Sequence, residues 1–543
     1  MSNFGLVNWI VLIVYFAAML FLGSQVGKVN KSTEAYFLGS RRIPWWAIGL
    51  SVMATQCSAV SFIGMPGWGY TSGLHRLTFT FQFPLVMAIL MTTFVPFFYN
   101  TKVVSVYEYL EKRFGSKSRG LLAVIFLISR GLQTAVVLFA PALALSMITG
   151  LNTSAAILLM GVIAIVYTVF GGISAVIWTD VVQMFVLWLG VILAILIPAS
   201  HVDGGLGTIL ANASANGMLS GFDFSFNLQD SYTFWGGLLG SGFLYLTYLG
   251  TDQSQIQRVL TAKNIRESKL SLAFAGFIVP IQTLLFLFSG ICLYSAFGGQ
   301  TFEKSDYVML TFINQYLPVG IAGLVTAGVF AAGMSSLDSA LNSLATVSVN
   351  DIYKKICPNA DDEKCLKVSQ LLTLLWGVFA TIAALFLGKL SSSVLDIINT
   401  IGPLFYPCML SAFVLAVFCK KANEKGCIAA VISGLAFDLF LHYGTNVGSL
   451  WWCFFGFLVA FAVGYLVSLA TGEKAVQSED PNFKFETATG SQLTIGYVTK
   501  LAAEGKIRDK DAEGYYVIPG KIDKISYILI IYFIVQCILI SLL

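Results

Sequence analysis

Residues 54–67 read Ala54-Thr-Gln-Cys-Ser-Ala-Val-Ser-Phe-Ile-Gly-Met-Pro-Gly67. They lie inside an apolar run, 46–70, yet crowd Thr55, Gln56, Ser58, Ser61, Gly64, Pro66 and Gly67 into a short length. In hydrocarbon a helix must satisfy its own backbone, so an interruption is tolerated only where the freed carbonyls face a cavity or an ion. The competing reading is close packing of small residues between membrane helices. A second polar step, Ser335-Ser-Leu-Asp-Ser-Ala-Leu-Asn342, falls in a later apolar run. Carbonyls of the first stretch and hydroxyls of the second form a hard-oxygen set suited to a sodium ion.

The rest of the chain agrees with a membrane setting. Of its 543 residues 57% are apolar and 11% charged, with a mean hydropathy of +0.79. A soluble protein carries roughly 25% charged residues, and this chain would expose too much apolar surface in water. The apolar runs fall near 5–26, 46–70, 76–99, 120–149, 154–171, 175–200, 234–251, 270–296, 317–341, 367–388, 394–418, 426–443, 450–470 and 525–543. They read as about fourteen transmembrane helices of an all-α integral membrane protein. The first run lacks a basic leader and a cleavage site, so it reads as a retained span.

Alternate breaks carry the basic residues: Lys28, Lys31, Arg41 and Arg42; then Lys102, Lys112, Arg113, Lys117 and Arg119; then Arg258, Lys263, Arg266 and Lys269; then Lys354 and Lys355; then Lys420 and Lys421. The break 201–233 has neither lysine nor arginine. The positive-inside rule then places both termini outside and the hydrophilic segment 471–524 in the cytoplasm, as a docked element or a loop. The net charge of +4 and the scattered basic residues give no nucleic-acid footprint. Nine cysteines form no CxxC pair, and His75, His201 and His442 form no metal or general-base cluster. No HExxH, GxSxG, P-loop or GxGxxG stands in a suitable context, so the chain does not read as an enzyme. Asn152 and Asn212 open Asn-x-Ser sequons, relevant only in a glycosylating pathway.

Charges inside a bilayer are functional candidates by default. Three qualify: Asp180, Asp338 and Arg130. Both aspartates fall in the cytoplasmic half, where with Ser335, Ser336 and Ser339 they offer a second cation site. Alternatively they pair with Arg130 or cap backbone groups.

These stretches have company. Tyr36-Phe-Leu-Gly39 with Ile43-Pro-Trp-Trp-Ala47, Ser58 to Met65, Tyr167 to Asp180, Asp252-Gln-Ser-Gln-Ile-Gln-Arg258 and Ser335 to Ser343 resemble, in order and spacing, the sodium/solute symporter family. The resemblance runs along nearly the whole chain. It implies a LeuT-like 5+5 inverted repeat. The expected division is a first span and cytoplasmic loop (1–45), a first repeat half (46–200), an extracellular loop (201–233) and a second half (234–418). Two peripheral spans (419–470), the cytoplasmic segment (471–524) and a last span (525–543) follow.

Carried over residue by residue, the resemblance places a common sodium site at Ala54, Cys57, Ala332, Ser335 and Ser336. A further sodium site of some members matches Asp180, Asp338 and Ser339, with Asp338 departing from the usual serine or threonine. Substrate positions are Gln56, Ser58, Ser61, Gln82, Arg130, Gln133, Tyr245 and Asn399; gate positions are Met65, Phe81 and Tyr248. Sugar-transporting members hold a lysine where this chain has Gly276. Sialic-acid members hold a carboxylate-binding arginine at the position of Gln133, one turn from Arg130. Phe139-Ala-Pro-Ala-Leu-Ala-Leu145 and Ser231-Tyr-Thr-Phe-Trp235 look most like the monocarboxylate, iodide and multivitamin branch. The expectation is a sodium-coupled symporter of the plasma membrane that imports a small organic anion by alternating access, with sodium ions, the solute and the lipid bilayer as its partners and a monomer sufficing. A sugar or polyol symporter and a passive facilitator are the alternatives.

Overall fold

The structure, a computed structural model, describes residues 4–27, 32–57, 59–387, 394–472 and 483–543. Helix dominates, and the only β pairings among the described residues are isolated bridges, Ile43 with Ala262 and Lys510 with Tyr516. The first part comprises α1 (Leu6–Gly27), α2 (Thr33–Leu38), α3 (Trp45–Gln56), α4 (Ala59–Ser72), α5 (Phe83–Thr92), α6 (Phe94–Asn100) and α7 (Val106–Arg113). The long α8 (Ser116–Thr149) and α9 (Thr153–His201) come next, then α10 (Gly205–Ala215). The second part runs α11 (Gly242–Thr251), α12 (Gln253–Val259), α13 (Ile265–Ala296), α14 (Tyr307–Gln315), α15 (Ile321–Val347), α16 (Lys354–Ile356), α17 (Asp362–Leu387) and α18 (Val394–Phe418). Finally come α19 (Glu424–Gly444), α20 (Ser449–Thr471), α21 (Ile495–Ala503) and α22 (Lys524–Ser541).

Local chemistry sets the helix starts. Ser105 and Glu108 form a capping box on α7, and Asn264 and Asn423 cap α13 and α19. Asn152, the first sequon residue, caps α9 by accepting from the Ser154 N–H at 2.8 Å. Gly172 interrupts α9 with φ 56° and ψ −167°, a backbone state that a side chain would make costly.

Eleven helical segments among the described residues are long and apolar enough to cross a membrane, fewer than the expected fourteen runs. The difference has local causes. The run 46–70 is divided at Cys57, and 234–251 opens with the π-helical turn Gly236–Ser241 and stops at Thr251. The run 154–171 is cut short by Gly172. The two divided helices, α3/α4 and α11/α12, stand near the start of the two expected repeat halves.

α15 is the central rod, packed against α9, α8, α1 and α17 and buried along nearly its whole length. α17, α20 and α22 turn apolar side chains such as Leu371, Phe386, Leu466 and Ile531 outward, as lipid-facing helices do. The described part of the hydrophilic segment is a docked element rather than a free loop. Its Asp523 meets buried Lys269 of α13 at 2.5 Å, and its Glu513 meets Arg266 at 2.7 Å. Tyr109 of α7 donates to the Leu493 carbonyl at 2.8 Å, and the Gly520 N–H donates to the Thr92 carbonyl at 2.7 Å.

Candidate functional site

α3 stops because Cys57 leaves the helical region (φ −93°, ψ 81°), although its N–H still reaches the Met53 carbonyl at 2.8 Å. The carbonyls just before the break therefore lose their in-helix partners. α15 supplies the groups that meet them. The Ser336 hydroxyl donates to the Thr55 carbonyl at 3.2 Å, and Thr55 Oγ1 lies 3.3 Å from Ser339 Oγ. Ala54, Cys57 and Ala332 are buried, and buried Ser335 Oγ has no hydrogen-bond partner. An orphaned hydroxyl beside an interrupted backbone is the donor chemistry of a small monovalent cation. Ser58 lies outside the described residues.

The two intramembrane aspartates do not share a site as expected. Asp180 is taken by Arg258, 3.3 Å away, with both side chains wholly buried. Ser51 donates to Asp180, accepts from Arg258 Nε at 2.7 Å, and Arg258 also donates to Ser339. A guanidinium thus stands among the groups assigned to a second sodium. Asp338 instead accepts from Thr168 Oγ1 at 2.9 Å, and its other oxygen is unpartnered. The basic stretch after the seventh run suggested that Arg258 is a loop residue. Here it belongs to α12, whose seven residues are all buried. The signal was present in the polar run Asp252 to Arg258, which is too rich in glutamine for an ordinary surface turn.

Between the divided helices lies a cavity of about 160 Å³. Gln56, Ser61, Met65, Arg130, Gln133, Tyr245 and Tyr248 all line it, as does Ser336, so cation and solute regions adjoin. Three of its aromatic walls were missed: Trp68, Phe79 and Tyr406. Two expectations are corrected. Phe81 does not face the cavity but packs with Phe222, Phe234 and Phe533. Gln82 is buried and donates to the Phe79 carbonyl at 3.0 Å without lining the cavity. The 3-10 turn Gly73–Phe79 shifts the register here, so Phe79 takes the place expected of Phe81. Asn399 belongs to α18, and its side chain lies outside the described residues.

Arg130 pairs with neither Asp180 nor Asp338. Its partners are Asp252 at 3.7 Å and Ser254 Oγ at 2.8 Å, at the break between α11 and α12, and Gln133 Oε1 at 3.4 Å on its own helix. Asp252 departs from helical geometry there (φ −80°, ψ 123°) and caps α12. Tyr245 accepts from Gln56 at 3.2 Å, Tyr248 donates to the Thr55 carbonyl at 3.4 Å and Tyr406 donates to Gln133 Oε1 at 3.3 Å. Arg130 Nε and Gln133 Nε2 are buried donors with no partner.

Comparison with known proteins agrees with this architecture. The profile of the Sodium:solute symporter family matches residues 36–434. The chain is 32% identical over 464 residues to the Sodium/glucose cotransporter of Vibrio parahaemolyticus, covering 80% of this chain and 85% of that one. It is 31% identical over 464 residues to Sodium-coupled monocarboxylate transporter 2 of Homo sapiens, covering 82% and 74%. A Na+-coupled sialic acid symporter, solved in a substrate-bound outward-open state, superposes with a TM-score of 0.80 at 29% identity, over 86% of this chain and 98% of that one. From its divided helices to its matched length, this chain belongs to the sodium:solute symporter family, LeuT-like in fold and driven by sodium.

Proposed function

We propose that this symporter imports a small organic anion together with sodium, holding the anion's carboxylate at Arg130 and Gln133. The observation that carries this reading is the pair of buried, unpartnered donors, Arg130 Nε and Gln133 Nε2, on one cavity wall. A buried donor without an acceptor is costly, and a carboxylate satisfies both at once. The solute's body lies against Trp68, Phe79, Tyr245 and Tyr406. Sodium at Ala54, Cys57, Ala332, Ser335 and Ser336 orders the break in α3 and places a positive charge beside the bound anion. A sodium ion crossing 100 mV supplies about 2.3 kcal/mol before any concentration gradient is counted.

Similarity to sialic acid and monocarboxylate carriers supports the anion, whereas similarity to a glucose carrier favours a neutral sugar. The sugar reading has less support from the site. Gly276, where sugar-transporting members hold a lysine, faces Leu529 and Met87 rather than the cavity. The tyrosine hydroxyls that would serve a polyol are engaged within the protein.

The chain acts in the plasma membrane, and its basic loops favour both termini outside with the docked segment within the cell. The test is uptake into proteoliposomes under a sodium gradient alone, with sialic acid, monocarboxylates, vitamins and sugars in turn. Uphill accumulation of an anion supports the reading. Accumulation of sugars only, or flux that ignores sodium, overturns it.

A further inference from the structure

Asp252 holds two positions at once. Its Oδ1 accepts from the Ser254 N–H at 2.8 Å and from Ser254 Oγ at 2.6 Å, which starts α12. Its Oδ2 lies 3.7 Å from Arg130 Nη1, close enough for charge attraction and too far for a hydrogen bond. Arg130 is therefore not fully engaged: Nη2 donates to Ser254 Oγ, Nη1 donates to Gln133 Oε1 at 3.4 Å, and Nε has no partner.

The pair also joins two different bodies. Arg130 sits midway along the unbroken α8, and Asp252 sits at the break that frees α12 from α11. A carboxylate from this chain and a carboxylate from the solute thus compete for one guanidinium at the start of a buried half-helix.

We propose that Asp252 is an internal stand-in for the solute. It neutralises Arg130 and holds α12 against α8 while the cavity is empty, and it yields Arg130 when the transported anion arrives. This rests on the organic-anion reading above. The exchange loosens one of the two ion pairs at α12, leaving Arg258 with Asp180 as the other. It also sets selectivity by charge. A monoanion and one sodium bring no net charge into a site where Arg130 and Asp252 already cancel, whereas a dianion leaves an uncompensated negative charge in a buried cavity. Asp252 is a positioning residue here: it acts on the solute through Arg130.

The experiment compares the unaltered protein with Asp252→Asn, Asp252→Ser and Asp252→Ala in proteoliposomes. Lactate, nicotinate and sialic acid serve as anionic probes, and galactose serves as the neutral one. Asparagine and serine both cap helices, so the first two variants remove the charge and keep the start of α12. For a transported anion, removing the competitor lowers the half-saturating concentration by about tenfold, within the usual range of coupling between sites. Maximal rate falls in the same variants, because the anion no longer trades places with an internal partner. Unchanged half-saturation and rate in Asp252→Asn and Asp252→Ser, with only Asp252→Ala impaired, would make Asp252 a cap and overturn the proposal. Sodium-driven uptake of galactose with none of the anions moving overturns the organic-anion reading itself, which is a different result.

Discussion

Arg258 and Asp180 lie 3.3 Å apart with neither side chain exposed, and together they bind α12 to α9 beneath the break in α3. Ser51 of α3 and Ser339 of α15 complete the cluster. Each charge there depends on the other, since an isolated ion in a low-dielectric interior is far costlier than the pair. Arg258→Gln or Asp180→Asn alone is therefore expected to cost about 3–5 kcal/mol of stability. Arg258→Met combined with Asp180→Leu should cost less than the sum of the single changes. Thermal unfolding of the purified protein decides this, and strict additivity would refute the coupling.

Ser336→Ala removes the hydroxyl that meets the Thr55 carbonyl. The sodium concentration for half-maximal uptake should rise roughly three- to tenfold, the equivalent of one modest polar contact. Ser335→Ala should do the same, because its hydroxyl faces the same break beside the Asp180 carboxylate. An unaltered sodium dependence in both variants removes the two serines from the site.

Arg130→Lys keeps the charge but loses the planar fork that a carboxylate grips. Half-saturation for the anion should rise by about tenfold or more, as expected from losing one charge-assisted contact, while sodium binding in the absence of solute changes little. Equal loss of both would assign Arg130 to structure alone.

Phe79 and Phe81 separate solute contact from packing. Phe79→Ala should alter apparent solute affinity, since Phe79 lines the cavity. Phe81→Ala should leave affinity nearly unchanged and cost about 3–5 kcal/mol of stability, the usual result of emptying a buried aromatic site. Uptake kinetics and thermal unfolding, measured on both variants, check the contrast.

Much of this was legible in the chain. The break at Cys57 and the Ser335-Ser336 step were readable because polar groups in an apolar run need a reason, and the fold follows from the family motifs that contain them. Arg130 stood out as a charge inside an apolar run and Gln133 through the family resemblance, and the straight α8 keeps both, one turn apart, on the cavity wall. Phe81 and Gln82 did not, because a 3-10 turn advances the chain three residues per turn and moved the aromatic face by two positions. Arg258 was misread because positive charge after an apolar run ordinarily marks a loop. Its partner Asp180 is 78 residues away, a separation that local pattern does not bridge.

The buried α12 carries Gln253, Ser254, Gln255, Gln257 and Arg258 on seven residues, and both amide atoms of Gln255 stand without a partner. A hydrocarbon half-helix in that position would resist wetting. This one already holds groups that water satisfies, so its displacement hydrates a passage instead of exposing oil.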